Sequence, residues 1–254
     1  MDQAIPATDS EGQPVEERVV VEEPLQITLD GHPVSVVMRT PGQDEDLVRG
    51  FLLSEGMVPS TNLIRRIDLE AAPNHARVFL DDQAEVDLAR LTRHVFSASS
   101  CGICGKASIE AITAGFPPLE NPRRFPKDAL LTAPDRLRTE QATFEATGGL
   151  HAAALFDDRG ELLAAREDVG RHNAVDKLIG HAASTGIDPA ETFLLVSGRV
   201  SFEIMQKALA ARIPLVAAIS APSSLAVDFA VEANQSLIAF LRPPKFKLYA
   251  GELN

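Results

Sequence analysis

An α/β fold is what this chain of 254 residues predicts. Three observations carry that prediction. In the last quarter, strand-like and helix-like runs alternate at the spacing of parallel strands joined by helical crossovers. Just before them, "GRHNAVDKLIGHAA" (170–183) places Val175, Leu178, Ile179 and Ala182 at i, i+3, i+4 and i+7, one apolar helix face. The stretch up to about residue 96 reads instead mainly as short β-rich runs. The expectation is an α/β core over residues 98–254, a smaller β-rich part with one helix over 18–97, and a disordered acidic N-terminus over 1–17.

The elements follow in order. "MDQAIPATDSEGQPVEE" (1–17) is acidic, contains Pro and Gly, and lacks the basic start and apolar stretch of a secretory signal. "RVVVEE" (18–23), "LQITLDG" (25–31) and "HPVSVVM" (32–38) are strand-like, with "DGHP" (30–33) as a hairpin turn. "DEDLVRGFLLSEG" (44–56) predicts a helix, since its acids suit the positive N-terminal end of the dipole and Gly56 suits the stop. "RVFLDDQAEVDL" (77–88) returns to strand, and "CGKASIEAITAG" (104–115) predicts a helix closed by Gly115. After a linker rich in Pro and Arg, Thr132 and Asp135 have the spacing of a capping box and mark a helix start. "LHAAALFD" (150–157) and "LLAARED" (162–168) flank the turn "DRGE" as a hairpin. The alternation then runs "TFLLVSG" (192–198), "SFEIMQKALAARI" (201–213), "PLVAAIS" (214–220), "PSSLAVDFAVEAN" (222–234) and "SLIAFL" (236–241).

Composition excludes several classes of function. The net charge of −12 argues against a broad nucleic-acid surface. No apolar run reaches the length of a membrane span. Two cysteines in so long a chain make no disulfide framework, and without an export signal the expected compartment is the reducing cytoplasm. Within this acidic chain, "NPRRFPK" (121–127) and "FLRPPKFK" (240–247) are cationic islands. Each is read either as solvated loop or as a site for a small anion such as phosphate or pyrophosphate.

The two cysteines, Cys101 and Cys104, lie in "SSCGICGKAS" (99–108). A zinc site needs further ligands, and the only nearby histidine, His94, is seven residues upstream. The zinc-deaminase signature is missing, because no H-x-E occurs and Ser100 stands where its proline belongs. A thioredoxin-type CxxC opens a helix after a first strand, whereas this pair follows about 100 residues of other structure. A persulfide carrier needs an accessible, activated thiolate, which the small residues and Lys106 suit. Spacing alone leaves oxidoreductase and persulfide carrier open.

Parallel sheets collect ligands at the carboxyl ends of their strands. Here those ends are "SGRVS" (197–201) and "SAPSS" (220–224), read either as helix caps or as an anion site to which Arg199 adds charge. His172 and Asp176 stand at i, i+4, within hydrogen-bonding reach of each other. Asp168, Arg171 and His172 form either an ion-paired helix start or part of a ligand site, and His151 is equally open. His32, His75 and His181 carry no assigned role.

Six segments together resemble the FdhD family of formate dehydrogenase accessory sulfurtransferases. They are "GFLLSEGM" (50–57), "CGICG" (101–105), "TGGLHAA" (147–153), "EDVGRHNAVDKLIG" (167–180), "VSGRVSFEIMQKA" (196–208) and "SAPSSLAVDFA" (220–230). The resemblance implies a cytidine-deaminase-like α/β core without the deaminase metal signature. It implies that sulfur is accepted as a persulfide from a cysteine desulfurase. The sulfur then passes to the molybdenum cofactor, bis-molybdopterin guanine dinucleotide, which formate dehydrogenase requires. Cys101 would hold the persulfide and Cys104 would assist. Phe240, Leu241, Arg242, Pro243, Pro244 and Lys245 would bind the cofactor. Pro244 stands where the family often has glycine, which removes one backbone donor. The resemblance also implies a homodimer. The alternative is a module that binds the cofactor and presents it, with the cysteines incidental.

Overall fold

A computed structural model describes residues 1–81 and 116–254. Cys101, Cys104, His94, Lys106, the helix expected over 104–115 and the boundary expected near residue 97 lie outside the described residues.

The chain opens with β1 (Asp2–Thr8) and β2 (Pro14–Val20), a two-stranded antiparallel ribbon. This corrects the expectation of disorder over 1–17. The reason is local: Asp9 Oδ1 accepts from the backbone N–H of Glu11 and Gln13, folding the turn onto a short polar side chain. Next come β3 (Glu23–Leu29) and β4 (His32–Arg39), joined by Asp30 and Gly31, both at positive φ. That is the two-residue hairpin turn that "DGHP" predicts. α1 (Asp44–Ser54) follows with three acids in its first turn and Gly56 at φ 69° just beyond its end. β5 (Ile64–Asp68) and β6 (His75–Leu80) complete a four-stranded sheet of order β4-β3-β6-β5. Leu47, Val48 and Leu52 of α1 cover it, burying Leu25, Ile27, Leu29 and Val78.

The rest of the chain builds a six-stranded sheet. α2 (Lys127–Thr139) begins five residues before the predicted capping box. Thr132 lies inside it, and its hydroxyl donates back to the carbonyl of Ala129. The box is overridden because Phe125, Ala129, Leu130, Ala133 and Leu137 bury one continuous helix face. α3 (Ala142–Thr147) is a short turn of helix ended by Gly148. β7 (His151–Phe156) and β8 (Leu162–Asp168) form the predicted hairpin. α4 (Arg171–Thr185), β9 (Phe193–Val196), α5 (Phe202–Ala210), β10 (Leu215–Ala218), α6 (Ser224–Glu232) and β11 (Ser236–Arg242) follow. β12 (Lys245–Ala250) turns back antiparallel to β11, so the second cationic island is a hairpin rather than a loop.

Strand order is β12-β11-β10-β9-β7-β8, with β9, β10 and β11 parallel and β7 antiparallel to both its neighbours. This is the α/β core with crossover helices that the sequence predicts. The pleat sorts its side chains by twos. Ala153, Leu155, Leu194, Val196 and Val216 face α4, α5 and α6. Ala152, Ala154, Phe193, Leu195 and Leu215 face α2. On that second face Phe193 stacks on Phe156 and meets Phe125 edge-on, with centroids 5.2 and 5.3 Å apart.

The two sheets are joined through α1 and α4. At their crossing, a Cβ on Gly50 would lie 1.8 Å from the Asp176 carbonyl oxygen, and one on Gly180 would lie 1.9 Å from that of Asp46. Only glycine lets the backbones approach so closely. Beside the crossing sits a buried ionic cluster. Lys207 Nζ donates to Asp176 Oδ1 and Oδ2 (3.0 and 2.9 Å), to Glu55 Oε1 (2.9 Å) and to Ser54 Oγ (2.9 Å). Ser54 Oγ in turn donates to Asp176 at 2.6 Å. Asp176 therefore serves this joint, and not the i, i+4 bond to His172 expected from spacing.

Candidate functional site

The topology gathers the polar segments at one end of the six-stranded sheet. β9, β10 and β11 all point their carboxyl ends there. β7 runs the other way, so its first residue, His151, arrives at the same end. β8 ends there too, because His151 pairs with Asp168. "SGRVS" follows β9 and "SAPSS" follows β10, tied by Val200 N–H to the Ala221 carbonyl (3.1 Å) and Ser223 N–H to the Val200 carbonyl (2.9 Å). Phe240 N–H donates to the Ser220 carbonyl at 3.0 Å. Beyond it, the turn Arg242–Lys245 with its cis Pro243–Pro244 bond projects from the same end.

The predicted cofactor stretch is thus brought to the strand ends. Leu241 is buried in the core and anchors the hairpin. Arg242, Pro243, Pro244 and Lys245 are exposed. Phe240 has φ 53°, and the Lys247 ammonium lies 5.0 Å from its ring centroid. The turn therefore offers two exposed cations, Pro244 offers no N–H, and the Phe240 ring packs against the core. Exposed cations of this kind can meet phosphate oxygens.

The strand-end serines divide their roles. Ser223 caps α6, its hydroxyl accepting from Ala226 N–H at 3.2 Å. Ser197 Oγ accepts from Ala152 N–H at 2.9 Å and fastens β7 to β9. Ser201 Oγ lies 3.3 Å from His172 Nε2 and makes no cap for α5.

At the start of α4, Asp168 is fully buried. Its carboxylate accepts from Thr40 N–H (3.1 Å), Gly170 N–H (2.8 Å), Asn173 Nδ2 (2.9 Å) and Lys177 Nζ (2.8 Å). Lys177 also donates to the Thr40 carbonyl at 2.8 Å. Asp168 thus fixes the helix start against the residues after β4 and is saturated by protein donors. His172 turns instead toward Glu203, with Nε2 2.9 Å from Oε2 and both side chains 9% exposed. Glu203 was not singled out from sequence. The signal was its i, i+4 relation to Lys207 on a helix whose other residues are nearly all apolar.

His151 stands half-buried beside these groups. Burial pushes its pKa below 6.5, and the nearby charges of Arg171, His172 and Arg199 push the same way against a smaller opposing pull from Asp168. The unfolded chain therefore binds a proton that the native state refuses, between that lowered value and 6.5. Stability falls as the pH drops through this window. His151→Gln is expected to flatten the decline of melting temperature below about pH 6.5, read from thermal unfolding over pH 5–7.5.

The first cationic island sits elsewhere. Arg123 pairs with Asp158 at 2.6 Å and with Glu191, and Arg124 pairs with Glu252. These arginines line a cleft of about 880 Å³ with Ser236 and Gly251, at the amino end of β11. Local carboxylates pair with both arginines at partly exposed positions. Among the described residues no three His, Cys, Asp or Glu side chains converge as metal ligands, and no helix is long and apolar enough to cross a membrane.

An α/β core with parallel central strands, its polar segments gathered at their carboxyl ends, is the architecture in which ligands commonly bind at the strand termini. Comparison with known proteins narrows that class. The family model FdhD/NarQ matches residues 20–254, and the chain belongs to that family. A protein named "Sulfur carrier protein FdhD" from Streptomyces avermitilis is 48% identical, with 92% of this chain and 87% of the relative covered. One of the same name from Mycobacterium tuberculosis is 47% identical, covering 92% of this chain and 90% of the relative. The crystal structure of a putative formate dehydrogenase accessory protein from Desulfotalea psychrophila superposes with a TM-score of 0.78. It covers 99% of this chain and 96% of its own at 23% identity, which shows the shared fold.

Proposed function

We propose that the chain is a sulfur carrier that takes sulfur as a persulfide on Cys101, with Cys104 assisting, from a cysteine desulfurase. The sulfur is handed to bis-molybdopterin guanine dinucleotide, the cargo, which then serves formate dehydrogenase. Family membership and the relatives' name, "Sulfur carrier protein FdhD", support the carrier role. The observation that supports the cargo is the placement of Phe240–Lys245 beside the carboxyl ends of β9 and β10, with Arg242 and Lys245 exposed. In this reading Arg242 and Lys245 neutralise phosphate oxygens, and the buried side of the hairpin keeps the turn in place. Cytoplasmic residence and a homodimer belong to the same reading.

Intact-protein mass spectrometry tests it. After incubation with a cysteine desulfurase and cysteine, one added sulfur (about 32 Da) is expected, removable by reductant and mapped to Cys101. Loss of that gain in Cys101→Ala, with an unchanged melting temperature, supports the carrier. Unmodified cysteines in a protein that still binds GDP would overturn it in favour of a cofactor presenter.

A further inference from the structure

We infer that His151, Arg171, Gly198 and Arg199 form a second phosphate-class anion site on the same sheet end, distinct from the Arg242–Lys245 turn. The reading above enters only in the choice of pyrophosphate as the anion to try.

Four observations place the site. Gly198 packs between His151 and the base of the Arg171 side chain: a Cβ built on it would lie 3.1 Å from His151 Nδ1 and 3.8 Å from Arg171 Cβ. Glycine at this point leaves a gap that a Cβ would narrow. Arg171 Nε is buried without a hydrogen-bond partner, although the residue is only half-buried. A buried guanidinium donor without an acceptor is costly, and an exogenous oxyanion would satisfy it. Neither Arg171 nor Arg199 has a carboxylate within ion-pairing distance among the described residues, in a chain with 36 acids against 24 Lys and Arg. Lastly, Arg171 is the first residue of α4, a 15-residue helix whose positive dipole end adds to the field.

The neighbouring carboxylates do not neutralise this gap. Asp168 is taken up by Lys177, Thr40, Gly170 and Asn173. Glu203 directs Oε2 at His172. The gap also differs in kind from the turn at 242–245. His151 begins β7 and Arg171 begins α4, both partly buried, with Gly198 and the exposed Arg199 in the loop after β9, whereas the turn is exposed throughout. Phosphate of a nucleotide and free pyrophosphate share the required chemistry, a compact multivalent oxyanion that takes several N–H donors at once.

The test titrates the whole chain with inorganic pyrophosphate, and separately with GDP, while following the histidine ring signals by NMR. Pyrophosphate is expected to shift the His151 signals and raise its titration midpoint. Arg171→Gln and Arg199→Gln are expected to weaken pyrophosphate roughly tenfold each, the loss of a charged hydrogen bond. Arg199 is exposed, so its variant keeps the fold, and thermal unfolding checks Arg171→Gln. Arg242→Ala with Lys245→Ala is expected to leave the pyrophosphate response at His151 intact. If that double variant abolishes it, or if pyrophosphate leaves His151 unmoved, the second site is overturned. GDP binding lost in the 242–245 variant, with pyrophosphate leaving His151 unmoved in the parent chain, would keep the proposed cargo site while rejecting this one. GDP that fails to bind any form, with pyrophosphate still felt at His151, would reject the cargo reading and keep this site.

Discussion

Replacing Lys207 with methionine is expected to cost about 4 kcal/mol, the penalty for leaving buried charge without its partner. Lys207 and Asp176 are 5% and 1% exposed, and Glu55 Oε1 lies 2.9 Å from the same ammonium. Burial works against the charged lysine, but the carboxylates of Asp176 and Glu55 outweigh it and hold the ammonium protonated beyond the ordinary lysine range. Removing it strands two carboxylates that water reaches poorly. A melting temperature lower by roughly 10 °C follows for a chain of this size. Adding Asp176→Leu to Lys207→Met should recover part of the loss, since an apolar replacement no longer strands the deeper charge. A drop under about 1 kcal/mol would show that the pair behaves like an exposed one.

The second large effect falls on the helix crossing. In an exposed helix, Gly→Ala adds close to 1 kcal/mol of stability. At Gly180 the sign is expected to reverse. The added methyl would stand 1.9 Å from the Asp46 carbonyl oxygen, which is backbone and cannot swing aside. Separating the helices to admit it opens the packing around Leu53 and Ile179, at a cost of about 3 kcal/mol. Gly50→Ala meets the Asp176 carbonyl in the same way. The double variant should lose less than the sum, because one separation relieves both clashes. Urea unfolding of the three variants measures this. A stabilised Gly180→Ala would show that the crossing is looser than described.

Sequence periodicity gives the α/β core because its strands and helices obey two clean rules, short buried runs and one apolar helix face. It misses β5, whose "IRRID" alternates poorly, and it reads the N-terminal ribbon as disorder because composition does not see Asp9 folding a turn. The Thr132 capping signal is genuine chemistry beaten by burial of Phe125 and Leu130. The candidate site is legible in its parts: His151, Arg199, the strand-end serines and residues 240–245 are all visible as polar insertions among apolar runs. Their assembly is not, because β7 runs antiparallel and delivers His151 from the opposite direction in the chain. Lys207 and Glu203 are only faintly legible, through their i, i+4 spacing on an apolar helix. On an isolated helix they look like solvated charges, and only tertiary packing buries them.

Glu203 and Lys207 lie one turn apart on α5. One meets His172 at the carboxyl end of the parallel strands, the other locks the joint between the two cores. A single helical turn thus gears the two regions together, so that end of the sheet is held by the same bonds that keep the cores in register. Loosening that joint is therefore expected to loosen the His172 end of the sheet together with the fold, and the two should fail in step.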